Sequence, residues 1–319
     1  MISLDLKDRK ILYELDKDCR QSSSEIGKKI RLNKNTINYK IKRMEAEGII
    51  QGYYAIIDSS KLGYFSFRVY LKFFNTTKEK EQEIIKWLKE NKKVGVVSKF
   101  DSIYDLGFFV WVKTIYEFDD FWVEFKKNFR EFFWNEKVHV FSKVYHFKRR
   151  YLLEEKRQLS EKYEIIGSNK IEDYDNLDLK ILMLLAKNSK IPLIDLASKL
   201  KSPPRTIAFR IKRLEKKEII QGYRVIINME KIGYEYYKID FILNEMHDFE
   251  KLINYAKNNP NIIYIDRTLA ELDFEIDVEV KNRQELQKLI ENIKVNFSIR
   301  DTEVFIVKEY YKLETLPQV

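Results

Sequence analysis

From Asp8 to Glu47 the apolar residues recur at helical spacing. Leu4, Ile11, Leu12 and Leu15 form one stripe, Ile26 and Ile30 a second, and Ile37, Ile41 and Met44 a third. Three short helices are therefore predicted. Ser22-Ser23-Ser24-Glu25 has the spacing of a capping box, which starts the second helix at Ser22. Arg31-Leu32-Asn33 reads as a tight turn, with Asn33 capping the third helix and Gly48 supplying the left-handed residue that ends it. Three short helices with a tight turn between the last two make a helix-turn-helix.

After Tyr53 the period becomes strand-like. YFSFRVYLKFF, VGVVSKF, DLGFFVWV and VHVFSKVYHF read as strands, with amphipathic helices at KEKEQEIIKWLKEN and EFDDFWVEFKKNF. The order βαββαβ predicts an antiparallel sheet backed by two helices, the ferredoxin-like sandwich.

The whole pattern then returns. NKNTINYKIKRMEAEGIIQGY (Asn33 to Tyr53) recurs 170 residues later as PPRTIAFRIKRLEKKEIIQGY, and the strand and helix order follows again through YYKIDFIL, NIIYIDR, FEIDVEV, RQELQKLIENI and EVFIVKEYY. The register slips by two residues before the middle strands. The fold class expected is α+β, two copies of one two-part unit. The boundaries read are 1–58 and 174–228 for the heads, 59–151 and 229–319 for the βαββαβ domains, and 152–173 for a linker, partly helical before Gly167.

Composition narrows the chemistry. With 45% hydrophobic and 34% charged residues in 319, the chain has the balance of a folded soluble protein. No apolar run approaches the ~20 residues that span a bilayer, and the amino terminus lacks a signal-like apolar core. A single cysteine, Cys19, excludes an internal disulfide or a multi-cysteine metal site and points to the cytoplasm. His139, His146 and His247 show no metal-ligand spacing, so neither metal nor cofactor is expected. A net charge of +9 fits a polyanionic partner.

The motifs resemble those of the Lrp/AsnC (feast/famine) regulators. The opening LD..D..IL..L appears as Leu4-Asp5, Asp8, Ile11-Leu12 and Leu15, and again with Tyr174 for the first leucine, then Asp175, Asp178, Ile181-Leu182 and Leu185. The TV..RI.RLE..GII.GY signature appears as Thr36-Ile37, Ile41, Arg43-Met44-Glu45, Gly48-Ile49-Ile50 and Gly52-Tyr53. It returns as Thr206-Ile207, Arg210-Ile211, Arg213-Leu214-Glu215 and Ile219-Ile220. The resemblance implies a winged helix-turn-helix followed by a RAM-like domain in each copy. Family members pair through that domain, so the tandem would be a covalent pseudo-dimer on double-stranded DNA. Higher homo-oligomers would form through free sheet edges.

At 100° per residue from Ile37, the third helix turns Asn35, Tyr39, Lys42 and Arg43 away from its core. Seven basic residues and no acidic one lie between Lys28 and Arg43, a run suited to phosphates. The DNA contacts expected are Lys34, Asn35, Thr36, Asn38, Tyr39, Lys40, Lys42 and Arg43 in copy one, and Arg205, Thr206, Arg210, Lys212 and Arg213 in copy two. Tyr39 and Phe209 also admit a packing role. Copy two departs at Ser202 for Leu32, Pro203-Pro204 for the capping Asn33-Lys34, and Glu218 for Gly48. Its head either reads a different half-site or anchors on phosphate alone. The family's G-x-x-D effector loop, which takes an amino acid, is matched only at Asp105 and Asp273, where a local capping role competes with ligand binding. Two other classes remain open: an enzyme like the siroheme decarboxylases, which share this two-part fold but whose histidine and aromatic motifs are absent here, and a protein-interaction scaffold.

Overall fold

The computed structural model describes residues 4–153, 162–244, 249–269 and 273–318. The first head comprises α1 (Leu6–Lys17), α2 (Ser23–Ile30) and α3 (Lys34–Ala46), followed by strand β1 (Ile50–Ile57). Each helix starts on a side-chain cap. Asp5 and Asp8 form a capping box on α1, Ser22 and Glu25 form one on α2, and the Asn33 side chain accepts from the Thr36 N–H on α3. The predicted stripes are buried: Ile11, Leu12, Leu15, Ile26, Ile37, Ile41 and Met44 share one core.

The second head repeats this as α6 (Asn176–Lys187), α7 (Leu193–Lys199), α8 (Pro204–Lys216) and β7 (Ile220–Ile227). At the start of α8 Pro203 offers no side-chain cap. Where Gly48 ends α3 at φ +66°, Glu218 takes the same left-handed place at φ +54°.

The heads share one core. Strands β1 and β7 pair antiparallel, with Tyr53 opposite Val225 and Tyr54 opposite Arg224. Helix α1 lies on β7 and α6 on β1, so each head covers the other's strand. A local two-fold runs between Cys19 and Ser189, equivalent residues whose Sγ and Oγ stand 3.1 Å apart. The Cys19 N–H donates to the Tyr223 carbonyl, and the Ser189 N–H to that of Tyr53. Lys231 Nζ donates to the Glu47 carbonyl at 2.6 Å and Lys61 Nζ to the Lys217 carbonyl at 2.8 Å. A lysine of each copy thus caps the negative end of the other's third helix.

The first βαββαβ unit is β2 (Phe65–Phe73), α4 (Lys78–Glu90), β3 (Val94–Phe100), β4 (Leu106–Val112), α5 (Ile115–Phe129) and β5 (Phe133–His146). The second is β8 (Glu235–Leu243), α9 (Phe249–Asn258), β9 (Ile262–Leu269), β10 (Phe274–Val280), α10 (Arg283–Asn296) and β11 (Ile299–Leu313). Alternate residues such as Phe67, Val69 and Leu71, or Ile239 and Phe241, pack beneath the helices in two separate cores. The two sheets close on each other. Running β2-β4-β3-β11-β8-β10-β9-β5 and back to β2, they form an eight-stranded antiparallel barrel. Long β5 makes the seam, pairing with β2 along its first part and with β9 along its second. Closure consumes the sheet edges on which further assembly was expected.

The connecting segment differs from the linker read in the sequence. Its predicted helical part falls mostly on 154–161, outside the described residues. After it, Glu164–Ile166 form a short strand, β6, that extends the sheet along β5.

The residues facing into the barrel are charged and buried. Arg68 reaches Glu275 and Asp266 of the other copy, and Lys238 reaches Glu275 at 2.8 Å and Asp277 at 2.7 Å. Tyr70 donates to Glu275 at 2.7 Å. The faces are unequal. Copy one contributes Arg68, Tyr70 and Phe109, with the guanidinium 4.3 Å from the Phe109 ring centre. Copy two contributes Asp240, Asp266, Glu275 and Asp277 around Lys238.

A second buried ion cluster joins heads to barrel. Asp16 of α1, fully buried, accepts from Arg224 of β7 at 2.7 Å and from Arg149 Nη1 at 2.7 Å. Arg149 also holds Glu279 of β10 through Nε at 2.9 Å, and Tyr151 donates to the same carboxylate at 2.6 Å. Burial alone would raise the Asp16 carboxyl; Arg224, Arg149 and Lys148 override it and hold it at about 2. With Asp16 depressed from the usual 3.8, its contribution is present above pH ~4 and lost as pH falls toward 2, on the order of 2 kcal/mol. Asp16→Asn strands two arginines and should lower stability by roughly 3–5 kcal/mol. It should also flatten the acid limb of a denaturation-versus-pH series. An unchanged midpoint and acid limb would show that the cluster contributes no net stability.

Candidate nucleic-acid interface

The third helix of each head, α3 or α8, divides its polar residues into two groups. One is tied to the first helix. Lys40 donates to Asp8 at 2.9 Å and Asp5 at 2.7 Å, and Arg43 pairs with Asp8 at 2.7 Å. In the second head Arg210 pairs with Asp175 at 2.6 Å and Asp178 at 3.1 Å, and Arg213 also pairs with Asp178. Asp8 and Asp178 are almost wholly buried, so each needs these cations. The spaced aspartates and basic residues are one tie between first and third helix, formed twice. Four of the expected DNA contacts, Lys40, Arg43, Arg210 and Arg213, therefore have intramolecular partners.

Asn38 also has a neighbour: its Oδ1 accepts from Ser23 Oγ. Thr36 is half-buried, and its hydroxyl donates to the capping Asn33 at 3.0 Å. Thr206, its equivalent, is half-buried too.

The second group faces outward. Lys34, Asn35, Tyr39 and Lys42 are exposed on α3, and Arg205, Phe209 and Lys212 on α8. None of their side chains has a hydrogen-bond or ion-pair partner among the described residues. Tyr39 is 68% exposed and Phe209 67%, which settles the packing alternative: neither ring is part of a core. Phe209, not among the contacts expected from sequence, is exposed at the position equivalent to Tyr39. The outward rows are matched position for position, Asn35 with Arg205, Tyr39 with Phe209, Lys42 with Lys212. Copy one offers an amide and a phenol, copy two a guanidinium and an apolar ring.

The aspartates of the expected effector loops are engaged. Asp105 accepts from Lys72 at 3.0 Å and from the Phe73 N–H at 2.8 Å. Asp273 accepts from the Leu243 N–H at 2.6 Å, while Ala270, Glu271 and Leu272 of its loop lie outside the described residues. Both carboxylates fasten a loop to the end of the neighbouring strand.

Known proteins resemble the two heads and the chain as a whole. A family described as winged helix-turn-helix DNA-binding matches residues 4–51 and again 174–221. An uncharacterized HTH-type transcriptional regulator of Pyrococcus furiosus is 28% identical over 146 residues, 44% of this chain and 99% of that protein. The regulatory protein AsnC of Haemophilus influenzae is 28% identical over 147 residues, 46% of this chain and 91% of its own length. Each relative is thus about half as long as this chain and is spanned nearly whole. Among solved structures, that of the siroheme decarboxylase NirDL covers 98% of this chain and 94% of its own, with a TM-score of 0.65 at 14% identity. At that identity the likeness is one of fold. Among the described residues no helix is long and apolar enough to cross a membrane.

Two stability effects follow. Asp8→Ala leaves Lys40 buried without its inner partner and should destabilise the first head by about 3 kcal/mol, read by urea denaturation; a change under 0.5 kcal/mol would argue against the tie. Glu218→Gly relieves a left-handed side chain at the loss of one exposed ion pair. It should be neutral or stabilising by up to about 1 kcal/mol, and a lowered midpoint would contradict that.

Proposed function

With two winged helix-turn-helix domains of the Lrp/AsnC type in one chain as the premise, we propose that this protein is a sequence-specific DNA-binding transcription regulator that acts as a covalent pseudo-dimer. The observation that carries the reading is the outward row on each third helix, polar or aromatic and without internal partners, beside basic residues that the fold has already engaged. Asn35 has the donor–acceptor pair that matches adenine, and Tyr39 adds a phenol. Arg205 matches guanine or phosphate, and Phe209 suits a thymine methyl. Lys34, Lys42 and Lys212 serve the phosphates. The contact set is therefore narrower than the basic run. It excludes Lys40, Arg43, Arg210 and Arg213, whose task is to hold the helices.

The pairing of β1 with β7 supports joint action, since it fixes both third helices to one core. Heads so joined would enter successive major grooves about one turn, ~34 Å, apart. Because the rows differ, the preferred site is asymmetric, and Phe209 makes the second head a weak reader rather than a phosphate anchor alone.

Selection of bound duplexes from a random pool tests this, with wild type beside Asn35→Ala/Tyr39→Ala and Arg205→Ala/Phe209→Ala. The expected result is one enriched asymmetric site. Its first half should lose definition with the first pair of substitutions and its second half with the second, with affinity falling steeply as salt rises. Absence of enrichment together with absence of salt-dependent binding would end the reading. The enzyme alternative makes the opposite forecast: added siroheme would acquire a protein-bound absorption spectrum, which the regulator reading does not expect.

A further inference from the structure

We propose that the barrel interior holds a divalent transition-metal ion on His139, Asp240 and Glu275, a site that ties the two copies together from within. His139 comes from β5 of copy one; Asp240 and Glu275 come from β8 and β10 of copy two. One ligand atom of each lies within 4.8 Å of the others. That is the spread of donors about a single ion with bonds of roughly 2.0–2.6 Å.

Three observations converge. His139 is 1% exposed, and neither of its ring nitrogens has a hydrogen-bond partner. Buried imidazoles ordinarily find one. Asp240 is 3% exposed, and among the described residues no donor group reaches either of its oxygens; its neighbour is another carboxylate, that of Glu275. Two carboxyls in that position need a cation between them, either a proton or a metal. Finally, the interior charges do not balance. Four carboxylates, Asp240, Asp266, Glu275 and Asp277, face two cations, Arg68 and Lys238. Lys137 is matched by Glu303 at 2.7 Å. Fully ionised, these groups lack two positive charges, which either protons on the carboxyls or one divalent ion supplies.

Burial pushes the His139 imidazolium down to about 4, leaving a neutral ring with a lone pair to give at neutral pH. Burial, with Glu275 beside it, pushes the Asp240 carboxyl well above the usual range. Glu275 already accepts from Arg68, Lys238 and Tyr70, yet a carboxylate has about four lone-pair positions, so one remains. A second cluster, Asp266, Glu275 and Asp277, is less suited, because Arg68, Lys238 and Tyr236 already fill it. Entry is by a cavity of about 350 Å³ at the barrel mouth, lined by Tyr104, Asn135, Lys137, Asp240, Thr302 and Glu303. One imidazole with two carboxylates favours zinc or a similar first-row ion over calcium or magnesium, which prefer oxygen alone.

The test is calorimetric titration of the chelator-treated full chain with Zn2+, with thermal melts at each end. Expected are one equivalent bound, a raised melting temperature, and affinity weakened more than about 100-fold in His139→Gln and in Asp240→Asn, beyond what outer-shell changes give. Asp266→Asn should still bind. No saturable uptake, undiminished binding in both ligand variants, or loss in Asp266→Asn with retention in Asp240→Asn would overturn the site. Should either ligand variant lose its native circular dichroism, X-ray absorption on the zinc-loaded wild type decides instead. One imidazole with oxygen donors supports the proposal, and a donor set without imidazole overturns it.

Discussion

Four parts of this chain meet on two side chains. Asp16 lies at the end of the first head's first helix, and Arg224 reaches it from the second head's strand. Arg149 reaches it from the end of the first sandwich and continues to Glu279 in the second. None of these groups is stable alone in a dry interior, since an unpaired buried charge is among the costliest states a fold can hold. Each is tolerable only because the other three domains are in place, so the arrangement of heads on barrel is a condition for burying the charges. The cluster occurs once. At the equivalent positions the other half carries Ala186 for Asp16 and Tyr54 for Arg224, and there the Tyr54 and Tyr264 hydroxyls stand 3.4 Å apart. The two-fold that runs between Cys19 and Ser189 is broken where heads meet barrel.

The heads were legible because their signals are local. Apolar stripes at helical spacing, the Ser22–Glu25 box and the Asn33 cap act within a few residues, and the structure forms each of them. Glu218 was legible as a strained residue for the same reason, since its position relative to Gly48 is fixed by the repeat. The roles of the basic residues were not. A sequence shows that Lys40 and Arg43 carry charge, but not that Asp5 and Asp8 answer it from some 35 positions earlier. The motif that carries the resemblance was visible; the ion pairs that give it a physical reason required the fold.

The barrel shows the same limit at longer range. FEIDVEV has the alternation of a strand with one face in the core and one in water. In the structure both faces are buried, because Glu275, Asp277 and Glu279 face into the barrel and their cations lie elsewhere in the chain. Arg68 stands more than 200 positions from Glu275. Short β6 escaped notice because three residues within a charged stretch carry almost no periodic signal. His139 likewise lacked recognisable ligand spacing, since its neighbours Asp240 and Glu275 come from the other copy.

The unequal faces of the barrel bear on which polypeptides can pair. Two first sandwiches brought together would set Arg68 against Arg68 across a surface that also carries Tyr70, Phe109, Lys137 and His139. Two second sandwiches would confront Asp240, Asp266, Glu275 and Asp277 with their own images. Only the mixed pairing brings Arg68 to those carboxylates, and the covalent link supplies the right partner at an effective concentration of the millimolar order. A chain whose two halves present such unequal faces favours its own other half over a second copy of either.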